Sequence, residues 1–164
     1  MIKLLVFDVD GCMTDGYISY SNSGDEYKSF SVKDGLAIAS WVKMGQKCAI
    51  ITGRESKIVE KRAGELGVNY LFQGTKDKIC KLDEILKSEN LTYENVAIIG
   101  DDLNDYNMLK CAGWSFTPSD GSHFVKRIVH TVLQTKGGEG AIREMIEMIL
   151  EKEGRVEELL KLWL

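Results

Sequence analysis

Asp8 and Asp10 stand one residue apart at the end of an apolar run, "KLLVFDV". Two carboxylates that close repel each other unless a cation or a proton lies between them. Thr52 ends a second run, "KCAIITG"; Lys78 follows a third, "NYLFQG"; and "GDDLND" puts Asp101, Asp102 and Asp105 after a fourth, "NVAIIG". If these runs are adjacent parallel strands, the groups converge on one cleft. Such a cleft is strongly anionic, and an isolated cluster of this kind is expected to be protonated or to bind a cation. Hard oxygen donors favour magnesium. With only His123 and His130 in the chain, a multi-histidine zinc site is excluded within one copy. A phosphoryl group fits what remains, because the metal, Lys78 and the Thr52 hydroxyl can stabilise its developing charge. A carboxylate nucleophile on phosphorus gives an aspartyl phosphate and divides the transfer into two easier steps. Asp8 is the candidate nucleophile. Asp10 is the candidate acid and base, protonating the leaving alkoxide and then taking a proton from the attacking water. An extended strand points both side chains the same way, whereas a turn at its end redirects either. Alone, D-x-D-G also describes a calcium-type loop or a plain turn, so the order of the later residues carries the reading.

The elements that must position these groups alternate between strand and helix. The four runs and a weaker one, "GWSFTP", are short, apolar and closed by polar or glycine residues, as strands buried on both faces are. Between them lie helical patterns. Asp34 is read as the N-cap of "GLAIASWVKM", which ends at Gly45; Ile58, Arg62 and Leu66 lead to Gly67; Ile79, Leu82 and Leu86 share a face. The alternation predicts an α/β fold, a single doubly wound, Rossmann-like parallel sheet whose chemistry gathers beyond the carboxyl ends of its strands. One insertion breaks the rhythm. Residues 16–32, "GYISYSNSGDEYKSFSV", flank "SNSGD" with aromatic and β-branched residues and are read as a projecting β-hairpin, decorative or functional, its place at the active-site end favouring function. From Gly137, "GGEG" is read as a flexible hinge. "AIREMIEMILEKEG" is an amphipathic helix striped by Ile142, Met145, Ile146 and Ile149. Val156, Leu159, Leu160 and Trp163 form a second apolar face, which packs on the chain's own core or on another copy.

At 164 residues and 44% hydrophobic, the chain suits one domain, 1–164, with the helical tail from about 138. Its net charge of -4, with Lys and Arg scattered among acids, argues against a nucleic-acid partner. "MIKLLVFDV" is too short for a signal peptide and no run approaches membrane-spanning length, so a cytoplasmic protein without a membrane partner is expected. Cys12, Cys48, Cys80 and Cys111 form no C-x-x-C pair and are read as buried free thiols.

Taken in order, Asp8/Asp10, Thr52, Lys78 and Asp101/Asp102 resemble the four motifs of the haloacid dehalogenase superfamily. The resemblance implies Asp8 as nucleophile, Asp10 as acid/base, and magnesium held by Asp8, the Asp10 backbone carbonyl and Asp101. It makes Asp102 and Asp105 supporting groups, with Asp102 holding Lys78. An acid at position 10 favours a phosphatase over a dehalogenase or a cation pump. "DVDGCMTDG", "SVKDG", "ITGRES", "IGDDLND" and "GGEGAIREM" are similar to the capless branch that hydrolyses 3-deoxy-D-manno-octulosonate 8-phosphate, over about Lys3 to Ile149. That branch implies no cap domain, a homotetramer whose hairpin lines a neighbour's site, a tail able to cover the site, and a role in lipopolysaccharide sugar synthesis. Ser31, Val32, Lys33, Asp34 and Gly35 match its substrate-contact segment, although relatives often carry arginine where Lys33 stands. Arg54 and Arg62 supply charge suited to a sugar-acid carboxylate, alongside Asp10 and Lys78. For Arg62 the alternative is a surface pair with Glu65. Two other readings stay open: a phosphatase of a nine-carbon, sialic-acid-type 9-phosphate, and a receiver-like phospho-accepting domain.

Overall fold

The computed structural model describes residues 1–164. In chain order the elements are β1 (Leu4–Phe7), β2 (Ser19–Tyr20), β3 (Glu26–Tyr27), α1 (Val32–Lys43), β4 (Lys47–Ile51), α2 (Lys57–Leu66), β5 (Tyr70–Phe72), α3 (Lys78–Glu89), β6 (Val96–Ile99), α4 (Tyr106–Cys111), β7 (Trp114–Thr117), α5 (His123–Lys126), β8 (Thr131–Val132), α6 (Ala141–Lys152) and α7 (Val156–Leu160). Six strands form one sheet in the order β5-β4-β1-β6-β7-β8, every pair parallel. Numbered along the sheet strands alone, the order is 3-2-1-4-5-6. Receiver domains use 2-1-3-4-5. That topology removes the receiver reading.

Strand alternation feeds two cores. Leu5 and Phe7 face a cluster with Ile38 and Trp41 of α1, Val59 of α2 and Ile146 of α6, while Leu4 and Val6 face Leu82, Ile85, Leu109 and Val125 beneath α3, α4 and α5. Period-two side chains buried on both faces make β1 an unbroken apolar run, as the doubly wound reading requires. The edge strand β5 is only half-buried along its length, which corrects the expectation of full burial there. The two-residue β8 was not legible, being too short for a periodic signal. The hairpin β2–β3 forms within 16–32, and it is the only element inserted between β1 and α1 beyond the catalytic loop. Cys12 and Cys48 are buried, but Cys80 and Cys111 lie exposed on helices, a second correction.

Two local readings change. Ser31, not Asp34, caps α1: its side chain accepts the Asp34 N–H. Asp34 lies inside the first turn, buried, where α1 meets α6, and its carboxylate accepts the Arg143 N–H at 2.9 Å. It thereby satisfies a donor at the start of α6, whose own cap, Gly140, has no side chain. The expected hinge at Gly137–Gly140 is instead a packed buttress. A Cβ on Gly137 would lie 1.8 Å from the Gly11 carbonyl oxygen, and one on Gly138 would lie 2.5 Å from the Asp15 nitrogen. Gly138 N–H also donates to the Cys12 carbonyl at 3.1 Å. Absent side chains here permit close backbone approach rather than motion. The tail returns to the chain's own core in part: Val156 and Leu159 pack against the first cluster and Trp163 Nε1 donates to Ser40 Oγ of α1 at 3.1 Å, while Leu160 and Trp163 keep exposed apolar surface.

Candidate active site

The strand order reverses direction between β1 and β6, and a crevice opens there at the carboxyl ends of the strands. Asp8 follows β1 and Asp101 follows β6, so the sheet itself brings residues 93 apart in sequence to one place. After Asp8 the chain leaves the strand in a single wide turn over Val9–Met13, closed by Thr14 N–H donating to the Val9 carbonyl. Thr14 Oγ1 accepts the N–H groups of Gly11 and Gly16 and ties the turn shut. Gly11 is required twice over. Its φ is 99°, and a Cβ there would fall 2.0 Å from Asp101 Oδ2.

Lys78, the first residue of α3, is buried and reaches two carboxylates: Asp8 Oδ1 at 2.7 Å and Asp105 Oδ1 at 2.6 Å. Asp105 is fully buried and its second oxygen accepts the Asp101 N–H at 3.1 Å. A Cβ on Gly100 would lie 2.6 Å from the Asp105 Cβ, so glycine there admits this carboxylate. The resemblance assigned the grip on Lys78 to Asp102. The structure gives it to Asp105, because the short turn at Leu103–Asp105 rotates Asp105 inward and leaves Asp102 exposed, accepting only the Leu103 N–H.

Burial, then the neighbouring Asp105, pushes the Asp8 carboxyl well above the ordinary carboxylate range, against the pull of Lys78. Asp101 is raised to about 7 by burial and by Asp105 and Asp102. Lys78 is raised despite burial, because Asp8 and Asp105 hold its charge. Three inward carboxyl groups face one ammonium and form a set of hard oxygen donors whose mutual repulsion a bound cation would relieve. The oxygens of Asp8 and Asp101 and the Cys12 sulfur lie within 4.8 Å of one another. The Cys12 thiol is itself held protonated by burial and by Asp101. Asp8 and Asp101 therefore have the donor chemistry to hold a divalent cation such as magnesium.

Above them is a cleft of about 260 Å³ lined by Asp8, Asp10, Gly16, Thr52, Gly53, Arg54, Asp101, Asp102 and Asn104, without a hydrophobic side chain. Thr52 is buried at the end of β4, held by its N–H to the Phe72 carbonyl. Arg54 stands on the rim, 3.2 Å from the Tyr20 hydroxyl and 3.5 Å from Glu26. The expected substrate segment behaves differently. Ser31 is a cap, Val32 and Lys33 are exposed on the first turn of α1, and none of the three lines the cleft. Asp34 is committed to α6. Arg62 pairs with Glu65 at 3.3 Å and donates to the Ser31 carbonyl, lying over Phe30 and across Gly35, where a Cβ would meet its guanidinium at 2.2 Å. Gly35 is therefore space for Arg62, and Arg62 fastens the foot of the hairpin to α2.

The family model for haloacid dehalogenase-like hydrolases matches residues 71–146. A 3-deoxy-D-manno-octulosonate 8-phosphate phosphatase from Yersinia pestis is 40% identical over 156 residues, covering 95% of this chain and 83% of that protein. The chain belongs to the haloacid dehalogenase-like hydrolases. Another phosphatase of the same name, from Haemophilus influenzae, is 39% identical over 94% of this chain and 86% of its own. The solved structure of the Moraxella catarrhalis 3-deoxy-D-manno-octulosonate 8-phosphate phosphatase, in complex with magnesium ion, phosphate ion and KDO, is 36% identical with a TM-score of 0.95, covering 99% of this chain and 94% of that one. Within the haloacid dehalogenase-like frame one residue escaped the sequence reading. Lys28, just beyond β3, has a side chain with no exposed surface, and its Nζ contacts Asp10 Oδ1. A lone lysine in a polar hairpin carries no signal by spacing. Its role depends on the hairpin folding back over the catalytic turn.

Proposed function

We propose that the protein is a magnesium-dependent phosphatase that hydrolyses 3-deoxy-D-manno-octulosonate 8-phosphate to the free sugar acid and inorganic phosphate, with residues 1–164 acting as one catalytic domain. The observation that carries this reading is the buried set Asp8–Lys78–Asp105 directly beneath a wholly polar cleft that also presents Asp10, Thr52 and Asp101. Similarity to phosphatases of that name over most of both chains supports the substrate.

In this reading an Asp8 oxygen attacks phosphorus as the bond to the sugar C8 oxygen breaks, and Asp10 gives that oxygen a proton. Lys78 and the Thr52 hydroxyl receive the phosphoryl oxygens. Water then attacks the phosphorus of the aspartyl phosphate, Asp10 takes its proton, and phosphate leaves with Asp8 restored. Asp8, Asp101 and the Asp10 carbonyl would hold a divalent cation, which when bound would supply neutralisation of phosphoryl charge. Arg54 is the remaining cation on the rim and is assigned to the sugar-acid carboxylate. A homotetramer built through the hairpin, whose Tyr17, Tyr20 and Tyr27 are exposed, belongs to the same proposal, as does a cytoplasmic role in lipopolysaccharide sugar synthesis. No helix is long and apolar enough to cross a membrane.

Phosphate release across a panel of phosphosugars, with magnesium and with chelator, tests the reading. The eight-carbon ester is expected to turn over fastest and only with metal, and Asp8→Asn and Asp10→Asn each to remove nearly all activity. Faster turnover of a nine-carbon 9-phosphate would move the substrate assignment, and full activity in either variant would overturn the mechanism.

A further inference from the structure

We propose that Lys28 is a positioning residue for Asp10, and that through it the hairpin sets the enzyme's capacity to cleave esters with poor, alkoxide leaving groups. This rests on the phosphatase reading above. Lys28 reaches Asp10 from the foot of the hairpin and Lys78 reaches Asp8 from the start of α3, so each carboxylate of the Asp8/Asp10 pair has its own lysine. Lys28 Nζ contacts Asp10 Oδ1 and lies 3.6 Å from Glu26 Oε1. Lysine ordinarily extends its ammonium to water. A fully shielded ammonium persists where carboxylates meet it, and Asp10 and Glu26 do so. Glu26 in turn faces Arg54 at 3.5 Å, so alternating charges run from Asp10 through Lys28 and Glu26 to the rim.

Asp10 has more to gain from such a tether than Asp8 has. It sits in the turn after the strand, with non-helical dihedrals between Val9 and a left-handed Gly11, and its carboxylate has no other side-chain partner than Lys28. Fixing Oδ1 on Lys28 removes rotamer freedom and leaves Oδ2 free of protein side chains for the proton that the leaving oxygen needs. Side-chain acid catalysis contributes roughly 10²–10⁴-fold, and a misplacement of about 1 Å costs about 10²-fold. An aryl oxide such as p-nitrophenolate leaves without that proton. The effect of Lys28 must therefore depend on the leaving group.

The test measures kcat/KM, which reports steps up to loss of the leaving group, for the sugar-acid phosphate and for p-nitrophenyl phosphate with Lys28→Met. The hairpin lies outside both cores, so the fold is expected to stand, checked by circular dichroism and Tm. The variant is expected to lose about 10–100-fold on the sugar ester, in kcat more than KM, and less than about 3-fold on the aryl ester. In an Asp10→Asn background the same change should cost nothing further. Equal losses on both esters, a loss below about 3-fold on the sugar ester, or additive losses in the Asp10→Asn background would each overturn the positioning role. If Lys28→Met fails to fold, Lys28→Arg keeps the charge but moves the carboxylate and must show the same ester selectivity in smaller measure. Wild-type protein that releases phosphate from neither ester removes the phosphatase reading and this role together; wild-type activity with unselective losses removes the role alone.

Discussion

Replacing Asp101 by Asn should stabilise the metal-free protein, although it removes a residue the site depends on. Asp101 is half-buried and its carboxyl is raised from 3.8 to about 7, first by burial and then by Asp105 and Asp102. Because folding raises this pKa, the favourable contribution is complete below the unfolded value near 3.8 and is lost as pH climbs through about 7. At pH 8 the cost of holding the group ionised is about 4 kcal/mol, and at pH 5, where the folded group keeps its proton, it falls below about 2 kcal/mol. Asn occupies the same volume and carries no charge. For a chain of this length 1 kcal/mol moves Tm by about 2–4 °C, so the variant should melt roughly 8–16 °C above wild type in chelator at pH 8. The gain should shrink by more than half at pH 5. Thermal denaturation across pH 5–8, with EDTA and with saturating magnesium, is the assay. Magnesium should reverse the order, because only wild type keeps both Asp8 and Asp101 as donors and gains RT ln(1 + [L]/Kd) of binding energy. A chelated Asp101→Asn protein less stable than wild type at pH 8, or a gain equal at both pH values, would refute the charge argument.

Gly137→Ala places a methyl against the Gly11 carbonyl, where no side chain can yield, and should cost about 1–3 kcal/mol and at least tenfold in kcat, read by urea denaturation and phosphate release. Wild-type activity in that variant would mean that the buttress does not fix the catalytic turn. Asp105→Ala leaves the buried Lys78 with one partner fewer and should destabilise the fold by about 3–5 kcal/mol, with loss of activity, whereas Asp102→Ala should change stability by less than about 0.5 kcal/mol. Equal effects of the two would return the grip on Lys78 to Asp102. Asp34→Ala should lower stability by about 1–2 kcal/mol, through lost satisfaction of the α6 N-terminus, and leave KM for the phosphosugar within about threefold. A large rise in KM alone would give Asp34 back a substrate role.

The doubly wound sheet was legible because strands buried on both faces must be apolar throughout, as Leu4–Phe7 and Val96–Ile99 are, and because each is followed by a helix with its own stripe. The meeting of Asp8, Thr52, Lys78 and Asp101 was legible for the same reason: parallel strands put all their carboxyl ends at one edge. What could not be read is how side chains share that edge. Nothing in "GDDLND" distinguishes Asp102 from Asp105, since the choice depends on which one a three-residue turn rotates toward Lys78. The local tasks of the expected substrate segment were equally hidden. "SVKDG" has the composition of a binding loop, yet Ser31 is spent on a cap, Asp34 on a helix start and Gly35 on making room for Arg62.

The sequence by itself therefore determined the class of fold, the edge of the sheet where chemistry collects and the residue types able to perform phosphoryl transfer. Strand topology, the assignment of Asp105 to Lys78, the conversion of a glycine pair from hinge to buttress and the delivery of Lys28 to Asp10 were decided only in three dimensions. The physical reason is one of range. Periodicity records which face of an element avoids water, a local property, whereas these contacts join residues 18 to 126 positions apart and depend on packing that brings two backbones or two charges to the same few ångströms.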